Sequence, residues 1–164
     1  MIRTAVITLS DKGSRGERMD ESGLLIAELV RSIDASVDHY ELLPDEQTLI
    51  AAALRRLADS GSIDLILTTG GTGVAPRDVT PEATLEVIER ELPGMAEAMR
   101  AESLKKTPHA VLSRSVAGIR GRTLIVNLPG SPKAVRENLA VILPALPHAV
   151  AKIKGDPEDC GLRT

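Results

Sequence analysis

The chain has 164 residues, 43% of them apolar, which is enough for the core of one domain and hardly for two. Its 20 lysines and arginines face 23 aspartates and glutamates, a net charge of −3, so general nucleic-acid binding is not expected. Tyr40 is the only aromatic residue, which leaves no platform for stacking single-stranded nucleic acid.

Cysteine content and apolar runs bear on location. Cys160 is the single cysteine, so the chain closes no internal disulfide and builds no cysteine metal cage. The amino terminus turns polar after a short apolar run, unlike a signal peptide, and no apolar run approaches the roughly 20 residues that span a bilayer. We therefore expect a cytoplasmic protein that does not associate with membranes.

Strand and helix patterns alternate through the first half of the chain. Short β-branched runs indicate strands, and apolar residues at three- and four-residue spacing indicate helices. The patterns predict, in chain order, a strand at 5–9, a loop at 11–19, a helix capped by Asp20 or Ser22, a strand at 37–42, a helix ending near Gly61, and a strand at 63–68.

The second half continues the alternation. Thr80 is predicted to cap a helix with Pro81 at its first position, running to about Glu91. The remaining predictions are a break at Pro93-Gly94, a helix at 95–105, strand or loop at 110–120, a strand at 123–128, a capped turn at 129–132, a last helical stretch that Pro144 and Pro147 kink or split, and a polar tail from Gly155.

This alternation predicts an α/β fold: a single-domain three-layer α/β/α sandwich with a mostly parallel sheet over residues 1–154, followed by a tail over 155–164. In such a sheet, ligands bind outside the carboxyl ends of the strands. Three loops are therefore candidates for a site: the one after the first strand, 70–78, and 127–132.

The glycine cluster at 70–73 follows a strand and precedes a helix, the setting in which backbone N–H groups hold phosphate. It is not a P-loop, because no Gly-Lys-Ser or Gly-Lys-Thr occurs in the chain, and Pro76 stands where a dinucleotide fingerprint needs glycine or alanine. The alternative is a turn that merely reverses the chain.

Two aspartates lie in candidate loops, Asp45 and Asp78. If both reach one crevice, the pair suits Mg²⁺ held against a nucleoside triphosphate. The alternative for Asp45 is a helix N-cap. Asp78 has a weaker alternative, because Thr80 already supplies the cap for the helix that follows.

Other polar residues leave similar choices open. Ser10, Ser113 and Ser131 are candidate donors to phosphate or pterin, or else strand-end or cap serines. Arg114 and Lys133 lie beside two of these serines and equally suit a surface role. The three histidines are scattered without metal-ligand or triad spacing, and Cys160 in the polar tail is expected to be incidental.

Two neighbouring segments form a longer motif: Thr68-Thr69-Gly70-Gly71-Thr72-Gly73, and Arg77-Asp78-Val79-Thr80-Pro81-Glu82-Ala83-Thr84. Together they resemble the signature of the molybdopterin adenylyltransferases, the MogA/MoaB type that includes the G domain of gephyrin. Further matches are Ser10-Asp11, Pro44-Asp45-Glu46, Pro93-Gly94, Leu112-Ser113-Arg114 and Asn127-Leu128-Pro129-Gly130-Ser131-Pro132.

The resemblance implies Mg²⁺-dependent transfer of AMP from ATP to the terminal phosphate of molybdopterin, with release of pyrophosphate. It implies catalytic and magnesium-binding roles for Asp45 and Asp78, a homotrimer, and transient contact with a molybdenum insertase. The substrate-binding residues expected are Ser10, Thr69, Gly70, Gly71, Thr72, Gly73, Ser113, Arg114, Asn127, Pro129, Gly130 and Ser131.

Two other functions stay open at this point. One is a non-catalytic paralogue that binds molybdopterin as a scaffold for cofactor assembly; such a paralogue is expected to lose an aspartate or the Arg-Asp-Val-Thr-Pro segment, and here both persist. The other is a regulator that binds ATP and ignores molybdopterin.

Overall fold

Strands and helices alternate along the chain in the computed structural model, which describes residues 1–157. The strands are β1 (Ile2–Leu9), β2 (Ala35–Leu43), β3 (Leu65–Thr69), β4 (Arg90–Glu91), β5 (Ala117–Arg120) and β6 (Thr123–Leu128). The helices are α1 (Asp11–Ser14), α2 (Glu21–Leu29), α3 (Gln47–Asp59), α4 (Thr80–Val87), α5 (Pro93–Leu104), α6 (Pro132–Ile142) and α7 (Leu146–Ile153). Cys160 and most of the predicted tail lie outside the described residues.

The six strands form one sheet in the order β2-β1-β3-β6-β5-β4. Strand β1 pairs in parallel with β2 and β3, and β3 pairs in parallel with β6. Strand β5 runs antiparallel to both of its neighbours: a short turn joins it to β6, and the connection from β4 contains α5. The mostly parallel sheet is confirmed, and its parallel core brings the carboxyl ends of β1, β3 and β6 side by side.

Successive side chains of the central strands point to opposite faces of the sheet, and each face carries its own core. Val6, Leu67 and Val126 pack in the core that α2, α5, α6 and α7 cover. The neighbouring residues Ile7 and Ile66 pack in the second core, under α3 and α4. The three-layer sandwich is confirmed. Within residues 1–157 no helix is long and apolar enough to cross a membrane.

The capping residues decide where several helices begin. Asp20, and not Ser22, caps α2 by accepting a hydrogen bond from the Gly23 N–H at 2.8 Å. Ser131 caps α6 as predicted, accepting from the Ala134 N–H at 3.2 Å. The prolines of the last helical stretch split it as expected: α6 ends at Ile142, and a 3-10 turn (Leu143–Ala145) leads into α7.

Three local predictions were wrong. The loop predicted at 11–19 begins with α1, which Ser10 caps through the Gly13 N–H at 3.0 Å. Thr80 is the first residue of α4 and not its cap, because its hydroxyl donates instead to the Gly70 carbonyl at 2.8 Å. Helix α4 ends at Val87 and not near Glu91, since the backbone of Ile88 is extended and leads into the short edge strand β4.

The segment 110–120, predicted as strand or loop, contains the end of a 3-10 turn (Pro108–Leu112) and then β5.

Asp64 anchors the amino-terminal edge of the sheet. Its buried carboxylate accepts hydrogen bonds from the Arg3 side chain at 3.0 and 3.2 Å and from the Lys154 Nζ at 3.0 Å. Burial alone would raise the pKa of Asp64, but these cationic donors outweigh it and hold the pKa well below the usual range. The carboxylate thereby joins β1 to the end of α7.

Replacing Asp64 with Asn tests this anchor. Because the folded-state pKa is depressed, the ionised carboxylate stabilises the fold at any pH above the unfolded value of about 3.9, and this contribution is lost as pH falls below it. We expect Asp64→Asn to lower the free energy of unfolding by about 1–3 kcal/mol near neutral pH and to flatten its decline on acidification. Urea denaturation across the acid range measures both effects.

Asp34→Asn is the matched control, since Asp34 forms an exposed pair with the amino terminus and asparagine tolerates its left-handed backbone. We expect it to change stability little. Equal losses in the two variants, or an unchanged acid dependence in Asp64→Asn, would contradict the assigned role.

Candidate functional site

A cavity of about 320 Å³ opens at the carboxyl ends of β1 and β3, beside the start of α6. The loops that follow β1, β3 and β6 all contribute to its wall, as the rule for open parallel sheets predicts. The cavity is lined by Thr8, Leu9, Ser10, Gly13, Arg18, Met19, Asp20, Glu21, Ser22, Leu42, Asp45, Thr69, Gly70, Gly71, Asp78, Gly130, Ser131 and Pro132. Eight of the predicted site residues are therefore brought together here: Ser10, Asp45, Thr69, Gly70, Gly71, Asp78, Gly130 and Ser131.

The loop at residues 70–78, here called the glycine loop, requires glycine at two positions. Gly70 has φ of +98°, and a Cβ there would lie 2.3 Å from the Leu9 carbonyl oxygen. Gly71 has φ of +65°, and its Cβ would lie 2.4 Å from the Thr80 hydroxyl. These close approaches seat the loop against the end of β1 on one side and the start of α4 on the other. Such crowding is more than a chain reversal requires.

Asp45 is not a helix cap. Glu46 occupies the N-cap position of α3, and no side chain caps that helix. Asp45 instead exchanges two hydrogen bonds with Asp11: its Oδ2 accepts from the Asp11 N–H at 3.1 Å, and its own N–H donates to Asp11 Oδ1 at 3.0 Å. Its other oxygen, Oδ1, is buried and has no hydrogen-bond partner among the described residues.

The negative charge of the Asp45 carboxylate is only partly balanced by its surroundings. Burial raises the pKa of Asp45 and the charges of Asp11 and Asp78 raise it further, against the opposing hydrogen bond from the Asp11 N–H. The Arg77 guanidinium reaches Asp11 instead, at 2.8 and 2.9 Å, and lowers the pKa of Asp11. The charge of Arg77 also lowers the pKa of Asp45, although less than burial raises it. Among residues 1–157, Asp11 is thus paired with an arginine, whereas neither oxygen of Asp45 contacts a cationic side chain.

Asp78 brings a second carboxylate to the cavity wall. Its Oδ2 accepts from the Ala75 N–H at 2.8 Å, which fixes the side chain against its own loop. Within residues 1–157 no group of three or more histidine, cysteine or acidic side chains is arranged to hold a metal ion. Two carboxylates facing one cavity instead fit Mg²⁺, which proteins commonly bind through one or two carboxylates together with substrate phosphates.

Arg114 donates hydrogen bonds to backbone carbonyls of the glycine loop. Its Nε donates to the Gly73 carbonyl and its Nη2 to the Asp78 carbonyl, both at 2.7 Å. Its Nη1 pairs with the Glu82 carboxylate on α4. The sequence predicted substrate binding for Arg114, but the structure commits its guanidinium to protein acceptors that shape the loop.

Five other predicted residues lie outside the cavity wall: Thr72, Gly73, Ser113, Asn127 and Pro129. Thr72 and Gly73 turn their carbonyls toward Arg114, and the Pro129 carbonyl accepts from the Thr69 hydroxyl at 2.7 Å. Ser113 lines a second, smaller cavity of about 260 Å³.

Asn127 is fully buried and hydrogen-bonded within the protein. Its Nδ2 donates to the hydroxyls of Thr68 at 3.0 Å and Thr84 at 2.9 Å, and its Oδ1 accepts from the Val116 N–H at 3.1 Å. The side chain therefore ties β6 to β3 and α4 beneath the glycine loop.

Sequence reasoning missed one wall of the cavity, formed by Thr8, Arg18, Met19, Asp20 and Ser22. Four of these residues come after β1, in the segment where the rule for parallel sheets places ligand contacts, so that rule could have identified them. Ser22 also joins two loops, because its hydroxyl donates to the Gly130 carbonyl at 2.7 Å.

Comparison with known proteins places these features in a family. Residues 5–148 match the sequence model of a family described as a probable molybdopterin binding domain. The molybdopterin adenylyltransferase of Helicobacter pylori J99 is 46% identical over 94% of this chain and 89% of its own length. That of Escherichia coli K12 is 46% identical over 84% of this chain and 72% of its own length. The molybdopterin biosynthesis enzyme MoaB of Thermus thermophilus superposes with a TM-score of 0.90 at 56% identity, covering 97% of this chain and 100% of that one.

The crowding at Gly71 is testable by substitution. Gly71→Ala combines a left-handed backbone with a clash against Thr80, whereas Gly61→Ala places a methyl at nearly the same φ with no atom within 4 Å. We expect Gly61→Ala to cost about 1–2 kcal/mol of unfolding free energy, and Gly71→Ala about 1–3 kcal/mol more. Chemical denaturation of both variants measures the difference, and equal costs would show that the loop has room to relax.

Proposed function

The chain belongs to the family of the probable molybdopterin binding domain, and on that premise we propose that it is a molybdopterin adenylyltransferase in molybdenum cofactor biosynthesis. It transfers AMP from ATP to the terminal phosphate of molybdopterin. A phosphate oxygen of molybdopterin forms a bond to the α-phosphorus of ATP, the bond from that phosphorus to the bridging oxygen breaks, and pyrophosphate leaves with the electron pair.

The observation that carries the proposal is the Oδ1 atom of Asp45, which is buried and has no hydrogen-bond partner among residues 1–157. Asp45 lines the same cavity as Asp78 and the glycine loop. A carboxylate oxygen left without a donor inside a protein is costly unless a ligand completes it. A magnesium ion that enters with a triphosphate would satisfy it. When bound there, Mg²⁺ would neutralise negative charge on the phosphates during transfer of the adenylyl group.

The chain's own residues supply placement. Because the attacking group is already an oxyanion, no histidine base is required, and the reaction depends on alignment and electrostatics. The amino-terminal end of α6, with its cap Ser131 on the cavity wall, offers a positive dipole to the phosphates. Ser10 and Thr69 border the same space with short polar side chains.

The remaining predicted residues fit supporting roles. We propose that Arg114 and Asn127 act through the loop they hold and not by touching substrate, since their polar atoms are bonded within the protein. Ser113 lines the second cavity together with Arg114, and we propose that the pterin end of the substrate extends toward it.

Assembly and location rest on the family resemblance. We propose that the protein works as a cytoplasmic homotrimer and transfers its product through transient contact with a molybdenum insertase. Sedimentation equilibrium tests the assembly directly, with a trimer mass as the expected result.

A direct assay tests the reaction. Purified protein incubated with ATP, Mg²⁺ and molybdopterin is expected to release pyrophosphate, and chelation of Mg²⁺ to stop it. Asp45→Asn and Asp78→Asn each keep the size of the side chain and remove its charge, so we expect each to lower the rate by about a hundredfold or more. Thermal melts establish that both variants are folded.

The alternatives give different results in the same assay. Tight molybdopterin binding without pyrophosphate above a boiled control would identify a non-catalytic scaffold. ATP binding that ignores molybdopterin would identify a nucleotide-dependent regulator.

A further inference from the structure

We infer that Arg77 and Asp11 are positioning residues that hold Asp45 in place for the reaction, an inference that rests on the proposed function. Asp11 is the first residue of α1, Arg77 lies in the loop between β3 and α4, and Asp45 lies between β2 and α3. The pair therefore connects three separate segments of the chain at the edge of the cavity.

The contacts form a chain that ends on the Asp45 carboxylate. Arg77 donates to both oxygens of Asp11, through Nη2 at 2.8 Å and Nε at 2.9 Å. Asp11 Oδ1 accepts from the Asp45 N–H at 3.0 Å, and the Asp11 N–H donates to Asp45 Oδ2 at 3.1 Å. Asp11 thus holds Asp45 at two points, its backbone N–H and its Oδ2. The other oxygen, Oδ1, lies near Gly71 and has no hydrogen-bond partner among residues 1–157.

Charge explains why both members of the pair are needed. Asp11, Asp45 and Asp78 are close enough to interact electrostatically, and three uncompensated carboxylates would repel one another. The bidentate contact with Arg77 neutralises Asp11 and leaves Asp45 available to a cation. If Arg77 bound Asp45 directly, it would occupy the oxygen that the proposed magnesium needs.

Arg77 acts through Asp11 and not as a substrate contact. Its side chain is 59% exposed and is not among the residues of the cavity wall. Exposed ion pairs contribute little to stability, so the loss of this one is expected to lower Tm only slightly. Its expected effect is therefore on the reaction, because a small misplacement of a catalytic group is enough to slow catalysis.

The test compares Arg77→Gln, Arg77→Lys and Asp11→Asn with Arg55→Gln. Arg55 is a matched control, since it is a partly exposed arginine of α3 that pairs with Glu86 of α4, and neither residue lines the cavity. We expect Arg77→Gln to lower kcat by about ten- to a hundredfold with little change in KM for molybdopterin or in Tm. Arg77→Lys keeps the charge and is expected to recover part of kcat, and Arg55→Gln to match the wild type.

A double-mutant cycle asks whether Arg77 works through Asp45. If it does, Arg77→Gln has no further effect on the residual rate of Asp45→Asn. Independent, multiplicative losses would overturn the inference, as would a loss confined to KM or equal losses in Arg77→Gln and Arg55→Gln.

Hydrogen exchange separates failure of this inference from failure of the proposed function. The Asp45 amide donates to Asp11, so Arg77→Gln is expected to speed its exchange with deuterium while Arg55→Gln leaves it unchanged. If the wild type forms no pyrophosphate, the proposed function fails, and unchanged exchange in Arg77→Gln would then refute the positioning role as well.

Discussion

The site depends on how closely the glycine loop passes the end of β1. Gly70 lies against the Leu9 carbonyl, Gly71 against Thr80 and Asp45, and Gly130 against the backbone of Gly70. A side chain at the first two positions would push the loop away from these neighbours. Parallel pairing brings the ends of β1, β3 and β6 side by side, and glycine lets the loops after β3 and β6 pack directly against each other and against the end of β1.

Hydrogen bonds from buried polar side chains fix the position of the glycine loop. Asn127 on β6 donates to Thr84, whose hydroxyl donates to the Thr80 carbonyl at 2.9 Å, and the Thr80 hydroxyl in turn reaches the Gly70 carbonyl. Arg114 secures the far end of the loop. The buried polar side chains of Asn127, Thr84 and Thr80 all have partners, so the network specifies one loop position. Among residues 1–157 the buried side-chain oxygens without a partner are Thr8 Oγ1 and Asp45 Oδ1, whose residues line the cavity, and Glu82 Oε2.

The sequence was sufficient for the fold and for part of the site, and the reason differs from residue to residue. Asp20 and Ser131 cap helices because capping is a local interaction that spacing reveals. Thr80 has the same local pattern but takes a partner in the glycine loop, ten residues away, and Arg114 finds acceptors more than thirty residues away. Contacts between residues that are distant in sequence cannot be read from residue spacing. The sequence therefore identified these residues as part of the motif but did not reveal their partners or roles.

The lack of aromatic residues constrains how the cavity recognises a ligand. Tyr40, the one aromatic of the chain, lies on β2, where its hydroxyl donates to Asp20, the cap of α2. It is thus a support for the cavity wall and not among the residues that line it. A flat ring bound here meets Leu9, Leu42 and Met19 instead, so specificity must come from hydrogen bonds to backbone groups and short side chains. Backbone groups are fixed by the fold, which ties recognition of the ligand to the same loop packing that positions the two carboxylates.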